Sequence, residues 1–277
     1  MLKDSKSLEI SCYVLCAGAF GIFFRWMQLM LAYNEESLVD SSFWNVLLPI
    51  LIIASAVMFY RFANGFEKSG QYLPNDFCLA LVNPGKFYSA AGIAAGVIMV
   101  IGAGLLVLKC EVDKNANFLF VLAGTAVLSG ISFPFLLASA NKPHVENRNR
   151  IALLAFFPIL QFSVWILVCY KQNSTNSVGW DYIVELLAIV IALIAFFRVA
   201  GFAFGVSDAK KSMFFCMLGA MLCLTCLADN RYLGQQVMFV SAAIMLILYN
   251  WIMIANLRTH KKQPVATDDN GFEYLDV

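Results

Sequence analysis

Six polar side chains stand out because they lie in or beside long apolar stretches: Arg25, Gln28, Gln161, Tyr182, Glu185 and Asp229. Three of them are charged. A charge inside hydrocarbon costs roughly 2.5–3.5 kcal/mol on insertion scales, so such groups normally face the protein interior and either pair or line an aqueous cavity. We therefore take these six as candidate ligand-binding residues.

The spacing of these residues predicts how they face each other. Arg25 and Gln28 are three residues apart, which places them on one side of a helix, and the same holds for Tyr182 and Glu185. Glu185 and Asp229 are the predicted partners of Arg25. Two interpretations stay open at this point. The charges could line a polar cavity that opens outward, or they could form an ion pair that only locks the packing of helices.

Several kinds of chemistry are excluded within the membrane. The two histidines, His144 and His260, lie outside every apolar stretch, which removes Ser-His and Cys-His catalysis and a histidine metal site there. The sequence contains no phosphate-binding glycine loop. It thus predicts no catalytic residue, metal, cofactor or nucleic-acid partner, and it favours a function other than catalysis. Cys110 and Cys169 are expected near one membrane surface, where they could be paired or free.

Composition identifies the class of protein. The chain of 277 residues is 61% hydrophobic and 13% charged, with a mean hydropathy of +0.74. About 20 consecutive apolar residues span a bilayer as a helix. The sequence predicts an all-α, polytopic membrane helix bundle with eight spans at about 8–32, 43–62, 88–108, 118–139, 151–170, 183–204, 213–228 and 236–257. In the third span, Gly92 and Gly96 predict close approach by another helix of the same chain.

Basic residues in the loops predict the orientation. Fourteen of the 19 Lys and Arg residues lie on the side that carries both termini, and four lie on the other side. Basic residues are enriched on the cytoplasmic side. We therefore expect cytoplasmic N- and C-termini, and Arg25 and Glu185 near the outer surface.

A weak internal repeat links the two halves of the chain. Residues 33–66 and 170–203 share six identities, among them Arg61 and Arg198. These two arginines are predicted to be anchors at the inner interface. The pattern favours a tandem of two four-helix units, 1–140 and 141–258. The remaining segment, 259–277, is polar and acidic, which predicts a disordered cytoplasmic tail.

The longest internal loop, 63–87, is a candidate partner-binding segment, as is the tail. Within the loop, Pro74, Asn75 and Asp76 precede an apolar run. The run is compatible with a short helix lying in the membrane interface and equally with an apolar loop packed on the bundle.

A pattern of aromatic, small and acidic residues extends over spans five to seven. It comprises the segment YKQNSTNS at 170–177, then Trp180, Tyr182 and Glu185, the segment AGFAFG at 200–205, and Asp229. This pattern resembles that of a group of uncharacterised bacterial eight-span integral membrane proteins with no assigned function. The resemblance implies a bacterial cytoplasmic membrane location and a shared role for Tyr182, Glu185 and Asp229. It implies no activity.

Three functions remain open from the sequence. The first is a transporter or permease-like protein for a small polar or zwitterionic solute, which enters an outward-facing polar cavity. The zwitterion is suggested by the balance of Arg25 against Glu185 and Asp229. The second is a non-enzymatic accessory, scaffold or sensory protein that acts through partners. The third is a membrane-embedded enzyme acting on a lipid-type substrate.

Overall fold

The computed structural model describes residues 2–31, 42–74, 76–82, 85–112, 118–141, 144–174 and 179–259. Within these ranges the chain forms α1 (Leu2–Leu31), α2 (Ser42–Lys68), α3 (Phe77–Ala80), α4 (Lys86–Val112), α5 (Leu119–Ser139), α6 (His144–Asn173), α7 (Gly179–Gly201), α8 (Ala209–Thr225) and α9 (Leu233–Ala255). Short 3-10 helices, Phe202–Phe204 and Cys226–Ala228, extend α7 and α8. All of these helices except α3 are long and apolar enough to cross a membrane. The predicted all-α, eight-span, multi-pass membrane fold is therefore confirmed.

Six helices form the main body of the bundle. Each helix from α4 to α9 packs against the next, and α9 returns to pack against α4, which closes the six into a ring. α1 packs on α8, and α2 packs on α1 and α8. Of the eight spans, α9 is the most buried and α2 the least. The first two spans thus form an outer layer on one side of the ring.

Aromatic side chains from facing helices pack together inside the ring. Trp165 of α6 contacts Phe239 of α9, with ring centroids 4.3 Å apart. Phe196 of α7 stacks on Phe162 of α6 at 5.3 Å and on Phe133 of α5 at 5.8 Å. All five side chains are buried. Large rings therefore fill the interior, and dispersion contacts between them replace a hydrophobic driving force that lipid does not supply.

Glycines permit the closest helix contacts. A Cβ on Gly96 would lie 2.4 Å from the carbonyl oxygen of Gly130, so only glycine allows α4 and α5 to approach this closely. A Cβ on Gly234 would lie 2.6 Å from the carbonyl oxygen of Gly102, at the contact of α4 with α9. Gly92 faces Leu137 of α5. The Gly-x-x-x-Gly motif thus serves packing within the chain.

The 63–87 loop packs on the bundle and also contains a short helix. Asp76 caps α3 by accepting hydrogen bonds from the backbone N–H groups of Cys78 and Leu79. Phe77 is buried. Leu79 of the same helix is exposed. The segment is therefore a short helix with one side packed on the bundle, and its position in the membrane interface stays a prediction. Partial burial, followed by the charge of Asp76, raises the pKa of the Cys78 thiol.

Two contacts tie this loop to the end of the last span. Strand β1 (Gln71–Tyr72) pairs antiparallel with β2 (Arg258–Thr259). Asn256 Nδ2 donates to the carbonyl oxygens of Ala80 and Val82, at 2.9 Å each. Thr259, the first residue of the predicted tail, therefore belongs to a strand, and residues 260–277 lie outside the described part of the chain.

α8 begins at a well-defined cap on the side of the bundle that carries the N-terminus. Asp208 accepts hydrogen bonds from the backbone N–H groups of Lys210 and Lys211, and its other carboxylate oxygen lies 3.2 Å from Lys211 Nζ. Partial burial alone would raise the pKa of Asp208, but the hydrogen bonds and charge of Lys211 hold it below its usual value. An acidic cap at a helix N-terminus is the favourable arrangement.

The predicted division into two four-helix halves stays a prediction. The two arginines that correspond in the predicted repeat differ in exposure. Arg61 is exposed near the end of α2, whereas Arg198 is only partly exposed near the end of α7. Ser207 donates a hydrogen bond to the carbonyl oxygen of Arg198. Cys110 and Cys169 are both buried, and neither forms a disulfide bond.

Candidate functional site

Arg25 and Asp229 form a buried ion pair between α1 and the turn that follows α8. Arg25 Nε donates to Asp229 Oδ1 at 2.6 Å, and the two side chains are 0% and 2% exposed. Of the two partners predicted for Arg25, Asp229 makes this contact. Two buried opposite charges offset each other's desolvation only at such short range, and removing one of them leaves the other uncompensated.

A chain of hydrogen bonds extends from this pair to α2. Arg25 Nη1 donates to Gln28 Oε1 at 2.8 Å, and Gln28 Nε2 donates to Asn45 Oδ1 at 2.8 Å. Gln28 is buried on the same face of α1 as Arg25. The guanidinium therefore holds α1, α2 and the turn after α8 together at one end of the bundle.

Glu185 and Arg231 form the second ion pair. Glu185 is fully buried in α7, and Arg231 Nε lies 2.9 Å from Glu185 Oε2. Arg231 Nη1 donates to Asn173 Oδ1 at 3.1 Å, at the end of α6. The arginine side chain is 15% exposed, compared with 0% for the carboxylate. This pair therefore has one wholly buried member and one that reaches solvent.

One short turn carries both ion pairs. Asp229 faces α1, whereas Arg231, two residues later, faces α6 and α7. Gln236 Nε2 donates to the carbonyl oxygen of Asp229 at 2.9 Å, which fixes the turn to α9. Tyr232 packs under Lys109 of α4, whose Nζ lies 5.3 Å from the ring centroid. The turn is thus fixed to most of the helices around it.

A pocket of about 450 Å³ opens at this end of the bundle, beside the Glu185–Arg231 pair. Its described lining residues come from the start of α5, the end of α6 and the turn that leads into α9: Phe118, Lys171, Gln172, Asn230, Arg231, Tyr232 and Gln235. The volume lies within the usual range for small-molecule sites. According to the predicted orientation, the pocket faces outward.

The described lining of the pocket is basic and polar. Lys171 and Arg231 supply two positive charges, and none of the described lining residues is acidic. Lys171 Nζ lies 4.7 Å from the ring centroid of Phe118. The first turn of α9 also borders the pocket through Tyr232 and Gln235, and a helix N-terminus favours negative charge. The arrangement can hold an anionic group.

The structure brings only part of the predicted set together. Arg25, Gln28, Glu185 and Asp229 lie at the pocket end of the bundle in the two ion-paired groups. Gln161 is buried in the middle of α6, where its Nε2 donates to Met99 Sδ at 3.1 Å. It lies about 16 Å along the helix from Gln172, given a rise of about 1.5 Å per residue. Tyr182 is partly exposed and is not among the described lining residues.

Sequence reasoning missed the residues that line the pocket. Lys171 and Gln172 follow the predicted span 151–170, and Arg231 and Gln235 lie between the predicted spans 213–228 and 236–257, so none of the four is among the candidate residues. One signal for these residues was the segment Asp229-Asn230-Arg231. Opposite charges two residues apart, in a short turn between two spans, can pair with different helices. A second signal was the polar end of α6, Gln172 and Asn173, which faces the same turn.

No protein-family model, curated protein or solved structure matches the chain. The function is therefore argued from the geometry of the bundle and its pocket.

Proposed function

We propose that this multi-pass membrane protein is a transporter or permease-like protein for a small anionic solute, which it binds in the pocket beside Arg231. The observation that carries the proposal is the pocket itself, whose described lining holds Lys171 and Arg231 with amide side chains and no carboxylate. Charge-assisted hydrogen bonds from lysine and arginine are the strong contacts by which proteins hold carboxylates and phosphates.

An anion fits this pocket better than the zwitterion suggested by the sequence. The zwitterion followed from the balance of Arg25 against two carboxylates, but Arg25 is engaged with Asp229 inside the protein. Glu185 faces Arg231 from the buried side. Glu185 offsets the charge of Arg231, so Lys171 leaves the described lining with a net positive charge, and an ammonium group would meet like charge there.

The position of the pocket supports transport as the use of this binding. It lies at one end of the bundle, and the aromatic side chains inside the ring lie farther along the same helices. Phe239, which contacts Trp165, is one turn beyond Gln235 on α9. Pro134 of α5 and Pro158 of α6 lie within their helices, where each removes a backbone hydrogen bond and allows bending. A solute held in the pocket would thus be outside an aromatic barrier flanked by two bendable helices.

The proposed location is the bacterial cytoplasmic membrane, with both termini in the cytoplasm and the pocket facing out. It rests on the distribution of basic residues and on the resemblance to the bacterial eight-span group. Anionic solutes outside a cell would reach the pocket directly in this orientation.

The test is stabilisation of the purified protein by anions. Thermal unfolding in detergent is measured with acetate, lactate, succinate, phosphate and sulfate at constant ionic strength, and with neutral glycerol as the uncharged control. A ligand at 100 times its Kd stabilises the native state by about 2.7 kcal/mol. We expect at least one anion to raise the unfolding temperature in a saturable manner and glycerol to leave it unchanged. Stabilisation by phosphatidylglycerol alone would instead identify a lipid headgroup as the ligand and overturn the solute proposal.

A matched pair of lysine variants locates the binding. Lys171→Met removes a pocket charge while the Glu185–Arg231 pair stays intact, and we expect it to weaken anion binding about tenfold, or about 1.4 kcal/mol. Lys210→Met is the control, because Lys210 also packs on an aromatic ring, 5.4 Å from the centroid of Tyr60, but at the opposite end of the bundle. Equal effects of the two variants would contradict the proposed site.

A non-enzymatic accessory protein is the second candidate function. Two observations favour it: the Arg25–Asp229 pair is dry, and α2 is the least buried span on the outer layer of the bundle. If no anion stabilises the protein, this candidate replaces the first, with the 63–87 loop and the tail as the proposed partner-binding segments.

A further inference from the structure

Gln235 supplies the pocket with a hydrogen-bond acceptor that none of the described residues uses. Its Nε2 donates to Gln172 Oε1 at 3.0 Å. Its Oε1 has no hydrogen-bond partner among the residues that the structure describes, although the residue is 0% exposed and lines the pocket. A buried acceptor without a donor costs about 1–3 kcal/mol, so a ligand that donates to it recovers that loss. Among the described residues none supplies that donor, so the acceptor is available to a ligand in the pocket.

A simple anion cannot supply that donor. Acetate at neutral pH and sulfate have only acceptor atoms, so either one would satisfy Lys171 and Arg231 and leave Gln235 Oε1 without a donor. A ligand that carries an O–H or N–H beside its negative charge satisfies both. Arg231 and Gln235 line the same pocket, so one small ligand that carries both groups can contact both residues.

The charge of the pocket decides between the two kinds of donor. An ammonium group at Gln235 would lie in a pocket that already holds Lys171 and Arg231, of which Glu185 offsets only Arg231. Like charges at such short range repel each other, and burial strengthens the repulsion. A hydroxyl group donates the same hydrogen bond without that repulsion.

We infer that the ligand of this pocket is a small hydroxy acid, whose carboxylate binds Arg231 and Lys171 and whose neighbouring hydroxyl donates to Gln235 Oε1. The inference rests on the proposed function, because it requires that the pocket bind an anion. It adds the substrate class and makes Gln235 a specificity-determining residue.

The experiment compares three acids of matched size on the wild-type protein: propionate, lactate and alanine. Isothermal titration in detergent gives each Kd at neutral pH. We expect lactate to bind at least ten times more tightly than propionate, and alanine more weakly than lactate. Equal affinities for propionate and lactate, or tighter binding of alanine, would overturn the inference.

Two neighbouring glutamines provide the variants. Gln235→Met removes the acceptor, and we expect it to raise the Kd of lactate to that of propionate while propionate binding stays within twofold. Gln236→Met changes the same residue type at the next position, which is not among the described lining residues. Because Gln236 holds the turn through the Asp229 carbonyl oxygen, any loss of affinity should be equal for both acids and leave the preference for lactate intact. Loss of affinity for both acids in Gln235→Met would show that the residue serves the pocket's structure and not its specificity.

The wild-type comparison stands even if Gln235→Met does not fold. The proposed function and the inferred ligand would be contradicted by different results. If no anion of either experiment binds, the proposed function is wrong. If anions bind without preference for the hydroxy acid, the site stands and the inference about its ligand is wrong.

Discussion

Removal of one member of the Arg25–Asp229 pair should destabilise the protein far more than removal of both. The perturbation is a cycle of Arg25→Met, Asp229→Leu and the double variant, in which each replacement is apolar and of similar size. Because the two side chains are 0% and 2% exposed and 2.6 Å apart, each single change leaves a buried charge. Breaking such a pair costs about 3–5 kcal/mol, whereas an apolar replacement of both members is often neutral or stabilising.

The neighbouring hydrogen bonds make the two single variants unequal. Arg25 also donates to Gln28, so Arg25→Met leaves the Gln28 acceptor without that donor. Asp229→Leu retains the hydrogen bond from Gln236, which is made to the backbone oxygen of residue 229. A buried unpaired acceptor adds about 1–3 kcal/mol. We therefore expect Arg25→Met to be the more destabilising of the two.

The assay is reversible unfolding in mixed micelles by titration with sodium dodecyl sulfate, followed by tryptophan fluorescence. Arg150→Met is the control, because Arg150 is exposed near the opposite end of α6, and a surface change of this kind alters stability by about 0.5 kcal/mol or less. Two results would refute this prediction. Either both single variants have a free energy of unfolding within about 1 kcal/mol of the wild type, or the double variant is destabilised by the sum of the two single effects.

Two further predictions concern packing and orientation. Gly96→Ala should lower the free energy of unfolding by about 1–3 kcal/mol, because its Cβ would lie 2.4 Å from the backbone oxygen of Gly130. Gly104→Ala on the same helix is the control and should not lower it, because no atom lies within 4 Å of the new Cβ. Equal unfolding midpoints for the two variants would contradict the packing argument. In intact cells, an impermeant thiol reagent should label cysteine at position 230 (Asn230→Cys) and not at position 211 (Lys211→Cys); the reverse labelling would place the pocket in the cytoplasm.

The spans could be predicted from the sequence because the bilayer imposes a length and a composition on each helix separately. The span at 118–139, for example, needed only its own residues, and the structure gives Leu119–Ser139. The arrangement of the helices around one another could not be predicted in this way. That α9 closes the ring on α4 depends on which faces carry Gly102 and Gly234, and many faces of this chain carry small residues. The apolar pattern therefore fixes the helices and leaves their neighbours undetermined.

The site was predicted in part for a related physical reason. A charge such as Arg25 or Glu185 stands out because it is costly in hydrocarbon, so the sequence reveals that a partner is needed. It does not reveal which partner, since Asp229 and Glu185 carry the same charge and the sequence does not say which of them lies against α1. Lys171 and Gln235 gave no such signal, because polar residues at span ends are inexpensive wherever they point.

The two interpretations of the charged residues, as a packing lock and as a binding site, apply to different members of one turn. Asp229 lies in the dry pair with Arg25, while Arg231 reaches the pocket from its pair with Glu185. The first pair fixes the turn against α1, and the position of Arg231 depends on that turn. Anion binding should therefore depend on Arg25, which is wholly buried, through the position of the turn alone. The double variant of Arg25 and Asp229, which removes this pair but keeps the fold, should weaken the binding of every anion by the same factor. Loss of Gln235, by contrast, should affect only the ligands that donate to it.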